Sequence, residues 1–188
     1  MTIKSVKSYA AVLNNPLLRN EVDLYRRWSL EQKRVKAKAE DLGTKAHAAS
    51  ISDDHEKALE AWGEVRAVYA RLGARWEEAN VLNWMALSYR SIGQSGRALE
   101  FQNRSLTIRR RIGDIVGTAE NFTNIGLVYQ DLKMPQQAVT NLLKALDLWR
   151  HDKNARSETM TLIFIAGGVP GGGTTRQDGG VSETAFAH

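Results

Sequence analysis

Residues 121–150, NFTNIGLVYQDLKMPQQAVTNLLKALDLWR, read as one complete helix–turn–helix unit. Phe122, Ile125, Gly126 and Tyr129 fall three, one and three apart, which places them on a single helical stripe. Lys133-Met134-Pro135 ends that helix and opens the next, because proline lacks a backbone donor and suits a first helical turn. A second stripe runs through Ala138, Leu142, Ala145 and Leu146, then Leu148 and Trp149. The small residues Gly126, Ala138 and Ala145 mark where two antiparallel helices approach closely, and the bulky ones fill the space around them.

The pattern recurs upstream at a constant step of 40. Ala119 answers to Ala79 and Ala39, Phe122 to Leu82 and Leu42, Gly126 to Ala86 and Ala46, and Ala138 to Ala98 and Ala58. Tyr129 matches Tyr89, Leu148 matches Ile108 and Val68, and Gly113 matches Gly73. So many columns at one offset mark an internal repeat.

The run Ala119-x2-Phe122-x-Asn124-Ile125-Gly126-x2-Tyr129, followed by Ala138 and Leu142, resembles the tetratricopeptide pattern of an opening aromatic, Leu-Gly, Tyr, then Ala-x3-Phe. A step of 40 exceeds the usual roughly 34 by about six residues. That length, with the linker Arg111-Ile112-Gly113-Asp114, is similar to the longer-repeat class of kinesin light chains and of bacterial proteins carrying such repeats ahead of a CHAT protease-like domain. The resemblance covers residues 39–166. It implies an all-α, tetratricopeptide-like solenoid of about three helix–turn–helix repeats (near 35–73, 74–113 and 114–154) forming a short right-handed superhelix.

The resemblance also implies a use. The first helix of each repeat lines a concave groove, which puts Asn80, Asn83, Trp84, Leu87 and Arg90 of repeat two toward a ligand. Repeat three contributes Glu120, Thr123, Asn124, Leu127 and Gln130. An asparagine amide both donates and accepts, so it can hold an extended peptide backbone without reading side chains. Asn124 matches the asparagine that precedes Ile-Gly in the longer-repeat class. In repeat two Trp84 takes that column and Asn83 is displaced by one, which leaves a second backbone clamp open. Leu87 and Leu127 fill a column that carries asparagine in chaperone-tail-binding repeats, which argues against a carboxylate-clamp ligand. The implied function is non-catalytic protein or peptide binding, as a scaffold or sensor. Partner identity is not written in the chain.

Outside the repeats, residues 1–30 are expected to be a helical extension or cap, with Tyr25 and Trp28 covering the end of the stack. Residues 21–49 read as a long, highly charged helical stretch whose second half overlays the first helix of repeat one, with Gly43 a weak point. The repeat register resumes at 155–166, where Leu162, Ile165 and Ala166 fall on the Phe122, Ile125 and Gly126 columns. It then gives way to a glycine-rich tail, 167–188, expected to be disordered. A fourth repeat that begins and is not completed predicts an open apolar end around Trp149 and Leu162, able to drive self-association.

At 188 residues the chain can bury a real core, and 43% hydrophobic with 25% charged residues is ordinary for a soluble protein. It has no cysteine, so neither disulfides nor thiolate metal sites arise, which is compatible with a cytoplasmic protein. No continuous apolar run resembles a signal peptide or a membrane span. The net charge of +5 raises nucleic-acid binding as an alternative, through the face of Arg104, Arg109, Arg110 and Arg111. Basic residues spread among acids argue against it, and a solvated helix end explains the cluster as well.

No catalytic constellation is visible. His47, His55, His151 and His188 lack metal-ligand spacing, with His47 on the inner face of repeat one. The segment TLIFIAGGVPGGGTT imitates a phosphate loop, but Gly173 stands where the loop needs lysine. No cofactor or metal is therefore expected.

Overall fold

The computed structural model describes residues 16–168, and every element among them is helical. Helix α1 is Pro16–Arg27, α2 Leu30–Ile51, α3 His55–Leu72 and α4 Arg75–Ser91. Helix α5 is Ser95–Ile112, α6 Ile115–Asp131, α7 Pro135–His151 and α8 Ala155–Gly168. From α2 onward each helix packs on its chain neighbours, so α2–α3, α4–α5 and α6–α7 form stacked hairpins and α8 stands as a further first helix. This is an all-α solenoid of the tetratricopeptide type.

The turns follow one rule that glycine spacing shows only in part. Left-handed residues occur at Asp53, Gly73, Gly93, Gly113, Lys133 and Lys153, with φ between 57° and 74°. They recur every twenty residues, once per helix end. After each one, the next backbone N–H reaches back five residues: Asp54 to Ala49, Ala74 to Tyr69, Gln94 to Tyr89, Asp114 to Arg109, Met134 to Tyr129 and Asn154 to Trp149. That bond satisfies a carbonyl the helix end would otherwise leave free, and the left-handed residue reverses the chain.

The small-residue columns are where the helices touch. Ala39, Ala79 and Ala119 are buried, as are Ala58, Ala98 and Ala138 and the pair Ala46 and Ala86. At Gly126 the approach is close: a Cβ there would stand 2.7 Å from Leu142 Cγ and 3.2 Å from the carbonyl oxygen of Ala138. Phe122, Ile125, Ala145 and Trp149 complete the core of that hairpin.

The stretch 21–49 is helical with one break, at Trp28-Ser29. There Ser29 Oγ accepts from the Gln32 N–H and Gln32 Oε1 accepts from the Ser29 N–H, a capping box that starts α2 afresh. Gly43 sits inside α2, where a Cβ would lie 3.3 Å from the Trp62 ring, so the glycine makes room for an indole. At the other end, Gly167 and Gly168 belong to α8; the rest of the glycine-rich tail and residues 1–15 lie outside the described residues.

Candidate concave-face binding site

The first helices α4, α6 and α8 share one face of the stack and enclose a cavity of about 640 Å³. Seven of the ten expected groove residues line it: Asn80, Asn83, Trp84, Leu87, Glu120, Thr123 and Asn124. The remaining three are elsewhere. Arg90 forks onto the Asp131 carboxylate and lines a separate depression with Leu87. Gln130 donates to the Phe164 carbonyl at 2.7 Å, tying α6 to α8. Leu127 is half-buried and lines neither.

The asparagines are not idle. Asn83 Oδ1 accepts from Asn124 Nδ2 and from Gln102 Nε2, both at 2.9 Å. Gln102 Oε1 accepts in turn from Asn121, whose Oδ1 accepts from Ser105 Oγ at 3.2 Å. Ser105 also bonds the Ala79 carbonyl. All but Asn124 are buried, so a polar chain crosses from groove wall to core. The displaced Asn83 is thus an internal acceptor that fixes Asn124.

Side chains from the second helices reach the groove between the first ones. Tyr69, Arg109 and Trp149 stand forty residues apart in one column, and each lines a concave cavity. Arg109 is only 2% exposed. Its guanidinium donates to Glu120 at 2.8 Å and to Asn80 at 2.7 Å, with Asp114 nearby at 3.8 Å. Gly117 lets it pass, since a Cβ there would meet Arg109 Nη1 at 2.3 Å. Arg104, Arg110 and Arg111 are exposed, as a solvated face requires, and Arg109 alone departs from it. Arg109 is swallowed by the groove, Arg104 pairs with Glu100 and Arg110 sits over the Phe122 ring.

Between α2 and α4 lies a second cavity of about 370 Å³, lined by His47, Trp62, Tyr69, Trp84, Glu40 and Glu77 among others. Trp62 and Trp84 are near-parallel, with centroids 6.4 Å apart, and His47 meets Trp84 edge-on at 4.6 Å. Lys36 pairs with Glu40 and Glu77. Burial lowers the Lys36 pKa, but the hydrogen bond to Glu40 and the charge of Glu77 outweigh it, and the amine is held above its ordinary value. Burial likewise raises the Tyr69 phenol. Glu21 of α1 faces Glu77 and titrates at about 7, raised first by burial and then by the Glu77 carboxylate.

Trp149 is also corrected. It is 4% exposed and donates weakly to Thr123 Oγ1 at 3.5 Å, so it is groove wall rather than open end. The exposed apolar groups on α8 are Met160, Leu162 and Ile163. Leu162 occupies the Phe122 column, and among the described residues no second helix covers it. Among the described residues no helix is long and apolar enough to cross a membrane.

Tyr69, Arg109, Trp149 and the Gln102–Asn121 pair were missed by sequence reasoning. The forty-residue step that located the apolar core also aligns Tyr69, Arg109 and Trp149, and was the signal available.

Residues 119–149, which are most of α6 and most of α7, match the tetratricopeptide repeat family. No curated protein matches the chain. The chain carries a tetratricopeptide repeat within an all-α solenoid of that type.

Proposed function

We propose that the protein is a non-catalytic scaffold or sensor module that binds a protein or peptide segment on the concave face of its first helices. One observation carries the reading: groove residues on α4 and α6, named from their repeat columns, line one cavity together with α8. Trp84, 38% exposed, offers apolar area at little conformational cost, and Asn124 is held in place by Asn83. The longer-repeat likeness to kinesin light chains and CHAT-associated repeats fits this use, as does a cytoplasmic setting. Exposed Met160, Leu162 and Ile163 support self-association through α8.

Selection of short displayed peptides on the immobilised full chain tests the groove. Enriched peptides are expected to lose binding to Trp84→Ala and to keep it with Thr107→Ala, a change on an exposed residue outside both cavities. Equal binding to both variants would refute it. Light scattering across a concentration series tests self-association, which Leu162→Glu with Ile163→Lys is expected to abolish.

A further inference from the structure

We propose that this groove takes a basic segment and seats a lysine or arginine side chain in the slot between α2 and α4, against Trp84 and beside Glu40 and Glu77. The proposal rests on the peptide-binding reading above and names the chemistry of the partner.

Charge points first. The chain carries a formal +5, yet Glu40, Glu77, Asp114 and Glu120 line the two concave cavities against Arg109 and Arg156. Arg109 is already matched by Glu120 and Asp114. At the slot itself two carboxylates, Glu40 and Glu77, share the one ammonium of Lys36, which leaves an excess of negative charge among these three groups. A basic protein has thus kept its excess positive charge off this face, which favours a cationic occupant and steers an acidic one away.

Aromatic placement points the same way. Four of the five tryptophans, Trp62, Trp76, Trp84 and Trp149, line these cavities. An indole face attracts ammonium and guanidinium groups, more strongly where a carboxylate stands beside it. Trp84 walls both cavities, so a segment lying in the larger one passes the slot mouth. Trp62, 5% exposed, adds a second indole to the slot wall beside Trp84.

The test uses the full chain and three labelled peptides of alternating alanine with arginine, with citrulline, or with glutamate. Citrulline keeps the shape of arginine and removes its charge. The arginine peptide is expected to shift the Trp84 and Trp62 indole resonances and to bind at least about tenfold more tightly than the citrulline one. Glu77→Gln and Trp84→Leu should each cost about tenfold, and Trp84→Phe should retain most binding. Far-UV circular dichroism of each variant reports folding, and Glu40→Gln stands in should Glu77→Gln misfold. Equal binding of the citrulline peptide, or tighter binding of the glutamate one with the same indole shifts, overturns the cationic preference and leaves the groove reading standing. If none of the three moves these resonances the preference is overturned as well, and the displayed-peptide selection decides the groove separately.

Discussion

Asn124 Nδ2 donates to Asn83 Oδ1 at 2.9 Å, across 41 residues of chain and from one first helix to the next. Asn83 Oδ1 also serves Gln102, which is 1% exposed. The two asparagines should therefore differ when truncated. Asn83→Ala strands the buried Gln102 amide and is expected to cost about 1–3 kcal/mol, whereas Asn124→Ala removes one half-exposed bond worth about 1 kcal/mol. Together they should cost less than the sum, because they share a bond. Urea denaturation of the four chains measures this; an Asn124→Ala cost as large as that of Asn83→Ala would contradict the network.

The close approach at Gly126 predicts a second outcome. Gly126→Ala puts a methyl 2.7 Å from Leu142 Cγ, with Leu142 fully buried, and should destabilise by about 1–3 kcal/mol. Leu142→Ala alone leaves a cavity and costs about 2–5 kcal/mol. Combined, the new methyl enters the vacated space, so the double variant should be more stable than additivity allows. Strict additivity would mean the two residues do not meet.

The turns offer a gain. Lys133 and Lys153 hold φ of 60° and 57°, which a side chain resists. Lys133→Gly is expected to raise stability by about 1 kcal/mol, and Gly93→Ala to lower it by a similar amount. At Gly93 a Cβ would meet nothing within 4 Å, so the loss would be conformational rather than steric. Thermal unfolding decides the sign. A stabilising Gly93→Ala would show that the left-handed turn is not fixed.

These positions also show how far sequence reading reached. The forty-residue step was visible because small and bulky residues had to return wherever helices meet, and those columns carried the hairpins. The twenty-residue turn period was half hidden, since Asp53, Lys133 and Lys153 adopt the same φ as Gly73, Gly93 and Gly113 without being glycine. The groove was legible on the first helices, where Asn80, Trp84, Thr123 and Asn124 face the cavity. It was not legible on the second. Gln102 stands in the column of Trp62 and Leu142, and only the nearby Asn83 and Asn121 make a glutamine tolerable there. Arg109 looked like one more surface cation because Gly117, which gives it passage, lies eight residues away on another helix.

Helix α1 should respond to pH through Glu21. Its carboxyl faces Glu77 and Lys36 and accepts from the Trp76 backbone, and its pKa is raised from 4.5 to about 7. Burial is the main cause, with Glu77 second. A carboxyl whose folded value exceeds its unfolded one binds its proton more tightly when docked. Its contribution is thus fully present below about pH 4.5 and is lost as pH rises through about 7. Glu40 does not reverse this, since it is engaged with Lys36. Amide hydrogen exchange along residues 16–27, corrected for the intrinsic pH dependence, should show α1 opening more often at about pH 8 than at about pH 5.5, while exchange in α6 stays level. Glu21→Gln keeps a neutral donor toward Glu77 and should flatten the α1 response. An α1 that opens more at the lower pH would reverse the sign and remove the shared proton from the account.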